Sequence, residues 1–287
     1  MKSLPRNINT IIEPEPVIEG AGVHLRRSIA TRTLDYLDPF LLLDHFASND
    51  PLEYKAGFPL HPHRGIETVT YVLRGEVHHK DTLGNSGRLG AGDVQWMTAG
   101  RGIMHEEMPQ VRPEGIAGFQ LWVNLPARLK MTKPRYQEIR SDEIPAIKRE
   151  DGTRIRVIAG TVDEVSGPVT GIAANPIYLD VFVPAHASFI QPIHLGHTAF
   201  AYVFEGEAKF AGDGKEDGTK ISHPRLVVLG GGDYVKVVAG KAPVRFLLVS
   251  GKPLHEPIAR YGPFVMNTEE EIEQTLQELR QGTFVTT

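Results

Sequence analysis

The sequence predicts an all-β protein of two tandem small barrels with one short helix at the C-terminal end. Three observations predict it. Runs rich in β-branched and aromatic residues, such as ETVTYVL at 67–73 and FQLWVN at 119–124, recur between glycine-marked turns, which is the pattern of a sandwich or barrel. The two halves echo each other: YVLRGEV from Tyr71 matches YVFEGEA from Tyr202, and LGAGDVQW from Leu89 matches LGGGDYVK from Leu229. Only one stretch has convincing helical spacing. Thr268 and Glu271 form a capping box, Ile272, Leu276 and Leu279 an apolar stripe, and Gly282 an end.

In order, strand-like runs fall at 9–12, at 23–28 and in the buried-looking DPFLLLDHF of 38–46. They continue at 67–73, 76–81, 94–97 and 119–124. Pro and charge thicken over 126–154, where the link between domains is expected, giving domains of 1–135 and 136–287, the second ending in the helix. Runs resume at 156–159, 178–183, 199–204, 225–229, 234–238 and 244–249. A chain of 287 residues is comfortable for two domains.

There are no cysteines, which excludes disulfides, thiolate nucleophiles and Cys-ligated metals. The net charge of -4, without a basic run, argues against a nucleic-acid surface. The first residues lack the apolar core of a signal peptide and no run reaches 18 apolar residues. A soluble cytoplasmic protein is expected, with no membrane partner.

The chemistry gathers between Phe58 and Met108. His61 and His63 are two apart, as are His105 and Glu107. On a strand such residues share a face, so each pair can aim two ligand atoms at one spot. Antiparallel strands in a small barrel could join the pairs into three imidazoles and one carboxylate around one divalent metal. Such a set suits Fe, Mn, Ni, Cu or Zn. His78 and His79 are adjacent, face opposite sides, and read as surface residues. His45 reads as a structural histidine. Phe58, Met97, Met104, Phe119 and Trp122 are candidate pocket walls, Gln120 a candidate polar contact, and Arg101 a structural residue. Carried along the repeat, His61 maps to Pro192, His63 to His194, His105 to Arg245 and Glu107 to Leu247. The expectation is one metal, in the first barrel only. His194, His197 and His223 could form at most a weak second site.

The HxH pair and later Gly-rich His segment resemble cupin motifs. DPFLLLDHF, FPLHPHRGIETVTYVLRGEV, GDVQWMTAGRGIMHEEMP, FQLWVNLP and GPFVMNTEEEI together resemble the pirin family. The resemblance implies two tandem cupin (jelly-roll) barrels packed together, with a metal, most often Fe2+, held by His61, His63, His105 and Glu107; Mn2+, Ni2+, Cu2+ and Zn2+ are the alternatives. Glu67 sits where many cupins keep a glutamate ligand, but in pirins that position is not one. The resemblance also implies a dioxygenase of the quercetin 2,3-dioxygenase type, with a small aromatic substrate and O2; the chemistry of such a site makes Glu107 the candidate catalytic base. The alternative is a redox-responsive iron protein that binds a protein partner without turnover, nuclear if the source is eukaryotic. A zinc or manganese isomerase or lyase is a third reading, since fold does not fix function.

Overall fold

The computed structural model describes residues 3–212 and 218–285. The chain runs through β1 (Ile8–Ile12), β2 (Glu15–Glu19), β3 (Val23–Ile29), β4 (Phe40–Ser48), β5 (Phe58–His63), β6 (Ile66–Arg74), β7 (Val77–Asp81), β8 (Ser86–Leu89), β9 (Val94–Thr98), β10 (Ile103–Pro109), β11 (Ile116–Asn124) and β12 (Arg135–Ile139). It continues through β13 (Ala146–Lys148), β14 (Arg154–Ala159), β15 (Thr161–Val162), β16 (Val165–Ser166), β17 (Ile177–Val183), β18 (Ser188–Pro192), β19 (Thr198–Phe210), β20 (Thr219–Ser222), β21 (Arg225–Leu229) and β22 (Tyr234–Gly251). It closes with β23 (Ala259–Tyr261), β24 (Phe264–Met266) and the helix α1 (Glu269–Gln281). The all-β expectation holds, and the helix carries the expected capping box and a left-handed Gly282. The runs read separately at 234–238 and 244–249 are one long strand.

The chain forms two compact units. One joins Glu15–Ser141 to Leu254–Thr287; the other joins Met1–Pro14 to Asp142–Pro253. The boundary differs from a cut after residue 135, because β12 pairs with β9 and so stays in the first barrel. The two ends of the chain also change sides. β1 pairs with β21 of the second barrel. The apolar side of α1 packs Ile272, Leu276 and Leu279 with Ala259, Phe264, Met266 and Phe284, within the first unit. An internal repeat shows two barrels, but it carries no information about which barrel the flanking segments complete.

The first barrel has a seven-stranded antiparallel sheet in the order β12-β9-β6-β11-β4-β3-β2 and a four-stranded sheet in the order β5-β10-β7-β8. β6 is buried from Ile66 to Val72. A strand buried on both faces needs no polar alternation, and ETVTYVL supplies β-branched and aromatic residues instead. Its even-numbered residues share one face. On that face a single row crosses five strands: Arg27 opposite Asp44, Asp44 opposite Gln120, Gln120 opposite Thr70, and Thr70 opposite Gln95. The neighbouring apolar cluster comprises Val23, Leu25, Tyr54, Val72, Val77, Leu89 and Ile116.

The second barrel is one nine-stranded sheet, in the order β1-β21-β19-β22-β17-β14-β13, with β18 on β22 and β20 on β19; β1, from the start of the chain, takes the edge that β12 holds in the first barrel. Its interior is an apolar cluster that includes Phe189, Phe210, Val235, Val237 and Phe246.

Candidate metal centre

β5 carries two prolines, Pro59 and Pro62, flanking His61. Proline cannot donate to a ladder and is tolerated on an edge strand. β5 is such an edge, pairing only with β10. Gly65 follows with φ +78, where a Cβ would meet the Val265 carbonyl oxygen at 1.9 Å. Only glycine lets the chain turn there against β24. β10 lies between β5 and β7, with His105 opposite both His61 and Asp81, and Glu107 opposite His79.

The spacing argument holds for the histidines. His61, His63 and His105 offer ligand atoms that all lie within 4.8 Å of one another. Their ring centroids are 4.4 to 5.0 Å apart. His61 Nδ1 lies 2.9 Å from the Pro59 carbonyl oxygen, so Nδ1 carries the hydrogen and Nε2 keeps its lone pair. His105 is fully buried, and neither of its ring nitrogens has a hydrogen-bond partner. Such an orphaned pair of polar atoms is costly unless something else satisfies them. Burial lowers the pKa of all three; mutual repulsion adds to the effect at His63 and His105, and carbonyl oxygens of Pro59 and Pro263 partly oppose it at His61 and His63. Neutral imidazoles are the form a metal needs. The residues therefore fit a divalent ion.

Glu107 stands on the same face of β10 but outside that three-histidine group. It is buried, and burial raises its pKa, opposed by a hydrogen bond with Thr70. The Thr70 hydroxyl lies 2.6 Å from Glu107 Oε1 and 2.7 Å from Gln120 Oε1.

A cavity of about 640 Å³ opens from this group. Phe58, Gln120 and Trp122 line it as expected, together with His61, His63, Thr70 and Glu107. Three expected wall residues do not. Phe119 is one residue from Gln120 and so faces the other way, stacked on His45 at 4.7 Å. Met104 points away from His105 and packs beside Phe264 and Ile272. Met97 is sealed among Leu41, Ile66, Ala99 and Ile103. His45 is a structural histidine, lowered to about 4 by burial and then by Arg26. Arg101 serves through its backbone, accepting from Arg64 Nε at 2.5 Å.

His79 corrects the surface reading. It is buried, stacked on Tyr136 at 4.9 Å, with its ring centroid 5.3 Å from that of His105. Gln95 Nε2 lies 2.9 Å from its Nδ1, and Asp81 Oδ2 lies 3.4 Å from its Nε2. The amide donates to Nδ1, which places the ring hydrogen on Nε2, toward Asp81. The sequence signal was present: in VHHKD, Val77, His79 and Asp81 share a face with an apolar residue. Also missed were Arg27, Asp44, Glu19, Tyr54 and Arg260, all of which line the cavity. Arg260 lies far down the chain, on β23, and no local pattern links it to the site.

Glu67 is turned away. It is three residues from Thr70, hence on the opposite face of β6, where it accepts from Thr98 Oγ1 at 2.7 Å and Trp96 Nε1 at 3.2 Å. In the second barrel, pairing registers revise the mapping along the repeat. Val77 pairs with Pro109, and its counterpart Ala208 with Ala239. Following those ladders, His79, Glu107, His105 and His61 correspond to Phe210, Val237, Val235 and Gln191. The LGAGD and LGGGD turns precede strands that hold different places in their sheets, which displaced the mapping to Arg245. Arg245 instead pairs with Asp180 at 2.9 and 2.6 Å. The rings of His194 and His197 lie 5.0 Å apart, tilted at 53°, but His223 does not join them; among the described residues the only close group of three is that of the first barrel.

A family model described as Pirin matches residues 22–123, and one described as Pirin C-terminal cupin domain matches residues 178–285. The chain belongs to the pirin family. Within reach of it lies a Pseudomonas aeruginosa protein named as a candidate quercetin 2,3-dioxygenase, 42% identical over 281 residues, with 96% of this chain and 97% of that one covered. A crystal structure of quercetin 2,3-dioxygenase from Acinetobacter baumannii superposes with a TM-score of 0.88 at 34% identity, covering 98% of this chain and 99% of that one. A bacterial pirin from Escherichia coli, solved in complex with nickel(II), shares the fold with a TM-score of 0.65 at 19% identity, covering 85% and 98%. No described helix of this pirin-family chain is long and apolar enough to cross a membrane.

Proposed function

We propose that the chain is an iron-dependent dioxygenase of the quercetin 2,3-dioxygenase type, acting on flavonols or similar aromatic enols. The observation that carries the reading is the three-imidazole group opening, beside a buried carboxylate, onto a cavity of about 640 Å³. That size and its mostly apolar lining suit a drug-sized aromatic ligand. The likeness to the Pseudomonas and Acinetobacter proteins supports the same reading.

His61, His63, His105 and Glu107 would hold the iron. Bound there, iron would supply Lewis acidity toward the enol and open positions for substrate and O2. The chain's own residues do the rest. Phe58 and Trp122 receive the aromatic body and keep water from the reacting end. Glu107 accepts the proton of the flavonol 3-hydroxyl as general base. Thr70 makes that transfer inexpensive: its hydroxyl has one hydrogen but two acceptor neighbours, Glu107 Oε1 and Gln120 Oε1. When Glu107 carries the proton it donates to Thr70, and Thr70 donates to Gln120, so every oxygen is satisfied. The flavonolate then reacts with O2, the heterocyclic ring opens and carbon monoxide leaves.

Iron-loaded protein incubated with quercetin should bleach its visible absorbance with release of carbon monoxide. Turnover no faster than that of free iron, with the metal retained, would refute the reading.

A further inference from the structure

Arg260 brings a positive charge to the cavity wall without a carboxylate of its own. It stands on β23, with its Cζ 5.3 Å from the centroid of the Trp122 ring. The same indole meets His63 edge-on at 5.0 Å. Among the described residues the guanidinium bonds only to two carbonyl oxygens, Leu41 at 3.3 Å and Gly262 at 3.4 Å, both long. Three carboxylates line the same cavity: Asp44 and Glu19, and Glu107, which meets Thr70 beside the histidines; a fourth, Asp35, is near enough to Arg260 to act electrostatically. Arg27 has already taken the first two. It holds Asp44 in a bidentate pair at 2.8 and 2.8 Å and Glu19 at 2.7 Å. Burial, and then the like charge of Arg27, lower the Arg260 pKa despite those acids. A half-buried cation bonded only by weak neutral acceptors is under-compensated, and an arriving anion would gain a charge-assisted contact.

We propose that Arg260 is a specificity-determining residue: it binds an anionic group, a carboxylate or a phenolate, carried by the aromatic enol whose reacting end lies at the histidines. The inference rests on the flavonol-type reading of the cavity and narrows its substrate class to enols with a second, negatively charged end. Trp122 lies between Arg260 and His63, so a planar aromatic body bridges the two. Arg27 cannot do this work, because its donors face Asp44 and Glu19.

Two probes share one enolone head: 3-hydroxyflavone and its 4′-carboxy derivative. Binding of each to the metal-loaded chain is read from quenching of tryptophan fluorescence. The wild type should prefer the carboxylate by about tenfold or more, the range expected of a charge-assisted hydrogen bond. Arg260→Gln should bring the ratio to near one, and Arg260→Lys should keep part of the preference. An equal ratio in wild type and Arg260→Gln, or a wild-type preference for the neutral probe, overturns the proposal. Should Arg260→Gln fail to fold, salt decides on the wild type: raising ionic strength from about 0.05 to about 0.5 M should weaken only the carboxylate probe, and equal insensitivity of both overturns the proposal. If neither probe binds the metal-loaded wild type, the flavonol reading itself fails and takes this inference with it. If both bind without dependence on Arg260, this inference alone fails.

Discussion

The Thr70 hydroxyl lies 2.6 Å from the Glu107 carboxylate, on strands that meet from two different sheets of the first barrel. Among the described residues that contact is the one hydrogen bond to the buried carboxylate, and it leaves Glu107 facing the cavity. Thr70→Val keeps the shape and removes the bond. Loss of one hydrogen bond to a buried charged group costs about 1–3 kcal/mol, so quercetin turnover should fall by about 10–100-fold. Metal content, read by elemental analysis, should stay near the wild-type level if Thr70 acts on proton handling. Unchanged kcat would sink the role given to Thr70.

One metal per chain is the second expectation. His61→Ala and His105→Ala should each lose bound metal in elemental analysis, since each removes one imidazole of the three-histidine group. The second barrel should contribute none, because Gln191, Val235, Val237 and Phe210 hold the corresponding places. Undiminished metal in both variants, or two metals in the wild type, would refute the assignment. Stripping the metal should also lower the melting temperature, as any ligand bound only by the native state stabilises it.

Much of this site was legible in the sequence for one reason: two-residue spacing on strands fixes a shared face. HPH and HEE declare their direction wherever the strands fall, and the repeat showed which barrel keeps them. The same rule applied to VHHKD would have recovered His79 and Asp81. What was not legible depends on pairing across distant segments. Asp44 reads as the polar end of an apolar strand until β3 brings Arg27 opposite it. Arg260 reads as a charge in a loop until β23 lands beside Trp122. The exchange of the chain ends between barrels likewise rests on strand and helix docking over more than 200 residues, where local propensity is silent.

Glu67 gives a pH signature free of the metal site. Burial raises its pKa to about 7, against the opposing hydrogen bonds of Thr98 and Trp96. In the unfolded chain the group titrates near 4.5, its ordinary value. Between those two values the folded state holds the proton and the unfolded state does not. Stability from this group is therefore fully present below about 4.5 and is lost as pH rises through about 7, a change of about 3 kcal/mol at most. Glu67→Gln keeps the contacts and cannot ionise. Its melting temperature should fall less than that of the wild type between pH 5 and pH 8. Parallel curves for the two proteins would refute the ionisation.

Arg64 ties the residue after His63 to the C-terminal helix. Its guanidinium is buried, 4.6 Å over the Phe284 ring, with a hydrogen bond to Thr275 Oγ1 at 3.0 Å and an ion pair with Glu278 at 2.6 Å. Its Nε donates to the Arg101 carbonyl oxygen. Arg64→Met preserves the stem and removes these bonds. Breaking a buried pair costs about 3–5 kcal/mol, and the partial exposure of Glu278 reduces that to about 2–3 kcal/mol. The strand end that aims His63 would lose its anchor at the same time. Denaturant unfolding should show the loss of stability, and metal titration of the still-folded variant should show weaker binding. A variant as stable as the wild type, with the same metal affinity, would show that α1 holds neither the barrel nor the histidine.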